Sequence, residues 1–409
     1  MSAPVRFIHT SDLHLDRPPR GLAEVPDHLR GALVDAPYRA AERVFDAAVK
    51  EQVDFILLVG DLADLSMAGP RGLVFLEEQF ARLAQHGIGV YWALGRSDRL
   101  SRWADGWHVP DHVVRFEQNQ VERVLHRRDG EPIAQILGTS AAERRRIRLS
   151  QFLADNSEVP AIAVAHGAAD AEVLARHAIN YWALGGEHQR RALLTGPTVA
   201  HYCGSPQGRR PKESGPHGCT LVHIDEDRHV RSSFIPTDAV RFLDERIAVN
   251  ESATPDQLRQ VLDERVAELA GDPFGPELLV HWTVVGSKAL ARELRRGQLA
   301  VDTMARLRAD HALHRPAIWS LAVEPEGDVT ISAAQFEEQT LLGEYLRTIA
   351  HYAENTDETL SLAPFVPPSD VADRLESIAQ LDDPATRRRV LEQAARLGVE
   401  LLSPQETRP

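Results

Sequence analysis

Cysteine is scarce in this sequence of 409 residues. Cys203 and Cys219 are its two cysteines, too few for the disulfide framework of a small secreted domain. No apolar run reaches the roughly 18 residues that cross a bilayer. The first residues, MSAPVRFIHTSD, also lack the basic and apolar segments of a secretory signal. These absences predict a cytoplasmic protein without a membrane partner.

Positive charge is also in short supply, since 46 Lys and Arg residues face 60 Asp and Glu residues for a net charge of −14. This balance argues against a protein that coats nucleic acid non-specifically. A local phosphate site remains open, because the field depends on how charges are distributed. Basic residues do cluster at 144–148 and 209–212. For the first cluster we favour a solvated face over a phosphate contact.

Apolar and charged residues make up 43% and 26% of the chain, as in ordinary globular proteins, and its length predicts two or three domains. From residue 5 to 236, short apolar runs alternate with helical patterns at 38–51 and 71–86. The clearest runs predict buried strands at 5–8, 55–59, 90–94, 161–165 and 181–184. Thinner strands are predicted at 113–116, 121–125, 133–138, 219–225 and 230–236. This rhythm is typical of a layered α/β domain, which we place at residues 1–240.

The pattern changes near residue 240. Strands are predicted at 242–249, 278–285 and 317–323, separated by a helix that starts at Thr254 and a long helical region at 288–312. Thr254 and Gln257 form a capping box around Pro255, which suits the first turn of a helix. We expect residues 241–330 to form a small α+β accessory domain.

Residues 331–409 are predicted to form a C-terminal helical region. A second capping box, Ser332 to Gln335, opens a helix, and a Pro-rich linker follows near 356–369. Two amphipathic helices then end the chain, and neither can bury its apolar stripe alone. The stripes consist of Val371, Leu375 and Ile378, and of Val390, Leu391, Ala394 and Leu397. They either pack on the body of the protein or bind another protein.

Polar residues follow five of the predicted strands. Carboxyl ends of parallel strands meet at one edge of a sheet, so we expect these segments to converge. The segments are Asp12-Leu13-His14, Gly60-Asp61, Gly95-Arg96-Ser97-Asp98, His166-Gly167 and Gly185-Gly186-Glu187-His188.

The residue types in these segments suit divalent metal. Asp12 and His14 are two positions apart, so in an extended chain their side chains point the same way. Asp61 follows a glycine and has two oxygens with which to bridge two cations, which together can clamp a phosphoryl group. Oxygen and imidazole donors without thiolate favour manganese, iron or zinc. Each motif alone is weak, since a lone Asp-x-His is usually a strand end and Gly-Asp a turn.

The whole series resembles the calcineurin-like metallophosphoesterase superfamily, in particular its bacterial DNA repair exonuclease (SbcD/YhaO-like) branch. The resemblance covers about residues 5–236. It rests on FIHTSDLHLD (7–16), VGDLAD (59–64), AHG (165–167), YWALG (181–185) and YCGSPQGR (202–209). It implies an α/β fold, a two-sheet metallophosphoesterase sandwich flanked by helices, followed by a small α+β cap domain and C-terminal helices.

The resemblance also implies metal ligands. The first metal would take Asp12, His14, a bridging Asp61 and His188, and the second would share Asp61 and take His166. Arg96, Ser97 and Gly186 stand where the family has asparagine, histidine and histidine. We therefore expect one tightly held divalent ion, manganese first, with iron and zinc as alternatives.

Arg96 and Asp98 are the predicted catalytic residues. The Arg96 guanidinium could replace part of the charge of the missing ion and bind phosphate through two hydrogen bonds. In the alternative, Arg96 pairs with Asp61 or Asp98 and closes an inactive site. His201 and His217 are candidate substitutes for the missing histidine acid, and His9 is expected to be packed in its strand.

Three functions follow as hypotheses. The first is a metal-dependent phosphodiesterase related to DNA repair exonucleases, acting on DNA. The second is a catalytically degenerate subunit that binds a coiled-coil DNA repair ATPase through its C-terminal helices. The third is a small-molecule phosphatase or cyclic-nucleotide esterase, which the scaffold alone does not exclude.

Overall fold

The structure is a computed structural model. It describes residues 3–98, 109–118, 120–141, 147, 149–155, 158–311, 313–327, 331–355, 358, 360, 381 and 383–402. The basic run at 144–148 falls almost entirely outside the described residues, as does most of the linker predicted near 356–369. The stripe of Val371, Leu375 and Ile378 lies outside them as well.

The described residues form fifteen strands. They are β1 Val5–Thr10, β2 Phe55–Val59, β3 Gly89–Ala93, β4 Val113–Phe116, β5 Glu122–Arg128, β6 Glu131–Thr139, β7 Ala161–His166, β8 Tyr181–Gly185, β9 Arg191–Leu194, β10 Val199–Tyr202, β11 Gly218–Ile224, β12 Val230–Pro236, β13 Val240–Ala248, β14 Glu277–Val285 and β15 Ile318–Pro325.

Nine α-helices accompany these strands in the described part of the chain. They are α1 Asp27–Lys50, α2 Leu65–Gln85, α3 Ala171–Leu174, α4 Pro255–Leu269, α5 Lys288–Arg295, α6 Gln298–His311, α7 Ala333–Glu337, α8 Leu341–Glu354 and α9 Pro384–Leu402. None of the helices searched there is both long enough and apolar enough to span a membrane.

Two six-stranded sheets form the first part of the molecule, with the orders β12-β11-β1-β2-β3-β4 and β5-β6-β7-β8-β10-β9. The central pairs β1–β2, β2–β3, β6–β7 and β7–β8 are parallel. A core between the two sheets includes Phe7, Phe55, Phe116, Ile162 and Tyr181, all fully buried. The two-sheet sandwich expected from the sequence is confirmed.

Helices cover the outer face of the first sheet. Tyr38, Val44 and Phe45 of α1 and Phe80 of α2 share one buried cluster with Ile56 and Trp92 of the sheet. On the second sheet, Phe152 and Leu174 pack with Trp182 and Leu184. Because both faces of the central strands are buried, their sequences read as continuous apolar runs.

Several element boundaries differ from those expected. The helix predicted at 38–51 begins earlier, at Asp27. Pro37 therefore lies inside α1 and does not precede it. The helical region 288–312 is two helices, α5 and α6, separated at Gly297, where φ is +96°. The capping box at Ser332 opens only the five-residue α7, and Thr340 caps a new helix, α8.

The last helix buries a different stripe from the one expected. Leu391, Ala395 and Val399 are its buried apolar side chains, whereas Leu397 is 46% exposed. Ala395 and Val399 share a cluster with Leu342 and Leu346 of α8. Of the predicted stripe, Leu391 is the buried member, and the helix packs on α8 through Ala395 and Val399 instead.

The chain divides into two compact units. One comprises Met1–Asp244, Ala270–Val280 and His311–Leu321, and the other comprises Glu245–Leu269, His281–Asp310 and Ala322–Pro409. The three-stranded sheet β13-β14-β15 has strands that pass through this division. Since residues 241–330 are shared between the units, the accessory domain and the other predicted domain borders stay predictions.

Candidate metal centre

The five predicted metal ligands come together at the carboxyl ends of parallel strands. Asp12 and His14 follow β1, Asp61 follows β2, His166 ends β7 and His188 follows β8. The sequence places them far apart, and the parallel pairing of the strands brings their ends to one edge.

One carboxylate oxygen lies at the middle of the cluster. Asp12 Oδ1 is 3.7 Å from His14 Nε2, 3.6 Å from His166 Nε2 and 3.9 Å from His188 Nε2. Asp61 Oδ2 lies 3.9 Å from His14 Nε2 and 3.7 Å from His166 Nε2. These separations are too long for hydrogen bonds and are near those of neighbouring donors around an ion with bonds of about 2.1 Å.

Several polar atoms of this cluster are buried without hydrogen-bond partners among the described residues. They are Asp12 Oδ1 and both ring nitrogens of His14 and His166. Unpaired buried polar atoms are costly, and each one calls for an explanation such as a bound ion. The donors form two overlapping groups, Asp12–His14–His188 and Asp12–Asp61–His166. Their chemistry and unpaired atoms therefore fit a divalent ion.

The backbone at three of these residues is in the left-handed region. Asp12, His14 and Asp61 have φ angles of +55°, +43° and +53°. Such conformations cost on the order of 1–3 kcal/mol each and concentrate at functional sites. Our extended-chain argument for Asp12 and His14 is thus wrong. Their side chains converge because the chain turns sharply after β1.

Backbone N–H groups fix the two carboxylates. Asp12 Oδ2 accepts the N–H of Gly186 at 2.8 Å, and Asp61 Oδ1 accepts the N–H of Ser97 at 2.7 Å. Each carboxylate therefore has one oxygen held by the backbone and its other oxygen facing the imidazoles. The His14 and His166 imidazoles outweigh the effect of burial on Asp12 and hold its pKa well below the usual range. Asp12 is a carboxylate at neutral pH.

Asp98 is buried behind the cluster and does not face it. Its Oδ1 accepts the N–H groups of Leu62 and Ala63, and its Oδ2 accepts that of Gly95 at 2.8 Å. Burial, and then the nearby Asp61 carboxylate, raise the pKa of Asp98 to about 7. The contacts give Asp98 a positioning role, joining the loops after β2 and β3. A catalytic role for it stays a prediction.

Arg96 lies on the surface of the loop after β3. No ion pair or hydrogen bond joins it to Asp61 or Asp98 in the part of the chain that the structure describes. The ion pair by which Arg96 would close an inactive site is therefore not observed among these residues. The guanidinium remains available to a ligand, and its catalytic role stays a prediction.

Gly186 cannot easily be replaced by the histidine of the family. Its φ is +101°, and a Cβ atom would lie 3.1 Å from Cε1 of His166. Gly60 is constrained in the same way, since its φ is +79° and a Cβ atom there would collide with the His166 ring. The glycines allow the His166 ring to lie close to both loops.

Two residues of this centre escaped the sequence analysis as site residues. The His188 Nδ1–H donates to Glu213 Oε1 at 3.0 Å, and the Arg209 backbone N–H donates to Glu213 Oε2 at 2.7 Å. Arg209 is 4% exposed, and its Nη2 lies 3.0 Å from both ring nitrogens of His188. Although burial opposes it, the contacts with His188 and Arg209 lower the pKa of Glu213 to about 2. Glu213 thus orients a ligand and balances a buried arginine.

The other histidines near the centre are packed. His217 Nε2 lies 3.1 Å from the Glu213 carbonyl oxygen, and its Nδ1 lies 3.0 Å from the Ser205 carbonyl oxygen. His9 and His201 are buried on either side of the Tyr181 hydroxyl. Burial lowers the pKa of His201 to about 4. His217 is therefore a structural side chain, and the two buried histidines surround a tyrosine.

Comparisons with known proteins agree with this geometry. Residues 5–199 match the model of the calcineurin-like phosphoesterase family. The chain is 27% identical over 342 residues to YhaO of Bacillus subtilis, described as an uncharacterized metallophosphoesterase. This similarity covers 80% of the present chain and 83% of YhaO.

Two solved structures are also similar. A dimetal phosphatase from Danio rerio shares 13% identity, over 56% of this chain and 98% of that chain, with a TM-score of 0.31. The anchor protein GAP50 of Plasmodium shares 11% identity, over 57% of this chain and 85% of that chain, with a TM-score of 0.33.

All five predicted ligands lie within the residues that match the family model. The activity class of that family is metal-dependent phosphoester hydrolysis, and the cluster described above contains candidate ligands for the metal. Residues 5–199 are therefore similar to the calcineurin-like phosphoesterase family in both sequence and candidate ligands.

Proposed function

We propose that this protein is a metal-dependent phosphodiesterase related to DNA repair exonucleases, with one tightly held divalent ion, manganese first. The convergence of Asp12, His14, Asp61, His166 and His188 on one centre carries the proposal, because their facing donors are largely buried and unpaired among the described residues. When bound, the ion would polarise a phosphoryl oxygen and make a coordinated water more acidic.

The residues of the chain divide the remaining work. Asp12 and Asp61 would hold the ion through the oxygens that face the imidazoles, while backbone N–H groups fix their other oxygens. Glu213 keeps the His188 ring in the tautomer that presents Nε2 to the centre. Arg96, exposed and without a carboxylate partner in the described loops, binds a non-bridging oxygen of the phosphodiester.

The test is hydrolysis of bis(p-nitrophenyl) phosphate by the manganese-loaded protein. We expect activity that Asp61→Asn abolishes and that Asp27→Asn, at a surface carboxylate, leaves unchanged. Arg96→Gln should lower kcat/KM without changing the affinity for the ion. Elemental analysis of the loaded protein should give about one ion per chain. A reproducible count near two would contradict the one-ion proposal.

The second candidate is a degenerate phosphoesterase that serves as a binding subunit of a DNA repair ATPase. It is favoured by the replacements at Arg96, Ser97 and Gly186, and by the exposure of Leu397 and Leu401 on α9. It predicts no hydrolysis with manganese, iron or zinc. It also predicts binding of a purified coiled-coil ATPase that Leu397→Ser with Leu401→Ser abolishes. Hydrolysis that depends on Asp61 would reject it.

A further inference from the structure

A basic groove runs along α1, in the same compact unit as the metal centre. It has a volume of 520 Å³ and is lined by α1 and by residues 273–277 and 313–317. His28, Leu29, Arg39 and Arg43 are the residues of α1 that line it.

Positive charge dominates the lining of this groove. Arg39, Arg43 and Arg315 contribute guanidinium groups, and Glu277 contributes a carboxylate. Arg39 and Arg315 are exposed, and no carboxylate of the described residues forms an ion pair with either one. Burial, and then the nearby Arg39 guanidinium, lower the pKa of Arg43. In a protein with a net charge of −14, this local excess is a departure from the average surface.

Two of the acidic side chains near Arg43 are paired with other arginines, and a third, Glu42, is exposed. Asp238 is bound by Arg241, and Asp46 is bound by Arg82. Glu277 accepts the backbone N–H of Ala317. The lining itself thus has three guanidinium groups and one carboxylate, an excess of positive charge that suits a polyanion.

An aromatic ring stands at the edge of the groove. Phe274 is 90% exposed, and its backbone N–H donates to Asp272 Oδ1 at 3.0 Å in a tight turn. Leu313, across the lining, is 78% exposed. An exposed ring among guanidinium groups is the combination that binds single-stranded nucleic acid, because unpaired bases stack on the ring while phosphates meet the cations. Bases inside a duplex are already stacked.

We propose that this groove binds a segment of single-stranded nucleic acid, with phosphates on Arg39 and Arg315 and a base stacked on Phe274. The choice of nucleic acid rests on the proposed phosphodiesterase function. The groove would hold a length of substrate outside the metal centre. Small diesters such as bis(p-nitrophenyl) phosphate would not use it.

The test is fluorescence anisotropy of a labelled dT12 oligomer with the full-length protein in EDTA, which prevents cleavage. Arg39→Glu with Arg315→Glu should weaken binding at least tenfold. Losing two phosphate contacts should also reduce the slope of log Kd against log salt by about 1.4. The matched control is Arg176→Glu with Arg231→Glu, which changes the net charge equally at exposed positions outside the groove. The control should stay within twofold of the parent.

Phe274→Ala separates stacking from charge. It should weaken binding of dT12 roughly tenfold, and leave binding of an abasic oligomer of the same length unchanged. Equal losses for both oligomers would overturn the assignment to nucleic acid, since the groove would then accept any polyanion. Equal affinities of the Arg39/Arg315 variant and the Arg176/Arg231 control would overturn the groove itself as the site.

Two further measurements keep the outcomes distinct. The glutamine pair, Arg39→Gln with Arg315→Gln, repeats the test if the charge reversal impairs folding, and thermal melting reports the fold of each variant. Hydrolysis of bis(p-nitrophenyl) phosphate should be the same in all groove variants and the parent. A protein without hydrolysis but with Arg39-dependent binding of dT12 would contradict the proposed function and support the groove.

Discussion

Glu213→Gln should weaken metal binding although Glu213 is not itself a predicted ligand. The carboxylate accepts two N–H groups, from the His188 ring at 3.0 Å and from the Arg209 backbone at 2.7 Å. A glutamine side chain has one acceptor and one NH₂ group. In either orientation of the amide, one of these two N–H donors loses its acceptor and faces the NH₂ group instead. The substitution also leaves the buried Arg209 guanidinium without its nearby negative charge.

The expected magnitude follows from two comparisons. Removing the hydrogen-bond partner of a metal-bound histidine typically costs about 10- to 100-fold in affinity. In the metal-free protein, lowering the pKa of Glu213 from 4.5 to about 2 favours its charged form in the folded state by about 3 kcal/mol. Because the folded pKa is the lower one, this stabilisation is present above pH 4.5 and disappears as the pH falls towards 2.

Isothermal titration with manganese, and chemical unfolding at pH 7 and below pH 4.5, test both numbers. The matched control is Glu187→Gln, which removes the same charge one residue from His188. Glu187 pairs with the half-exposed Arg191 rather than with the metal centre. If Glu213→Gln binds manganese within twofold of the parent, or if Glu187→Gln is equally weakened, the His188–Glu213 contact does not support the centre.

Three more outcomes can be checked directly. The triple variant Arg96→Asn, Ser97→His, Gly186→His should melt at a lower temperature than the double variant that keeps Gly186. It should displace His166 rather than restore a second ion. A triple variant that is as stable as the double variant and binds two ions would contradict this. Cys203 and Cys219 should not react with a thiol reagent at pH 8 until the protein is unfolded, because burial raises the pKa of Cys219 to about 12 and that of Cys203 further. Truncation after Asn355 should leave the two-sheet domain folded but uncover α8, which an increase in binding of a hydrophobic dye would report; an insoluble product would contradict it.

The sandwich could be predicted because its central strands are buried on both faces. FILLV, for example, coincides with β2, since such a strand needs apolar residues at every position. The short β9 and β10 were missed. Arg191 and Ala192 of β9 are exposed, and β10 contains His201, so neither strand gives a continuous apolar run.

The metal centre could be predicted only in part. Its five donors each follow or end a strand, and that position is visible in the sequence. Glu213 lies in the Gly- and Pro-rich return segment, where no periodicity indicates which side chain turns inward, and it contacts His188 across 25 residues of chain. The left-handed turns at Asp12 and His14 were also missed, although Asp and His adopt positive φ more often than most residue types.

The charges around the centre bear on the role proposed for Arg96. Asp12 and Asp61 carry two negative charges, which one divalent ion balances if the three imidazoles are neutral. Arg209 and Glu213 balance each other. The charge of Asp98, when present, is met by three backbone N–H groups. A phosphodiester brings one negative charge more, and under the proposed function Arg96 supplies the positive charge that meets it. One divalent ion together with Arg96 would then balance the two carboxylates and the bound diester, which is the charge count that the one-ion proposal predicts.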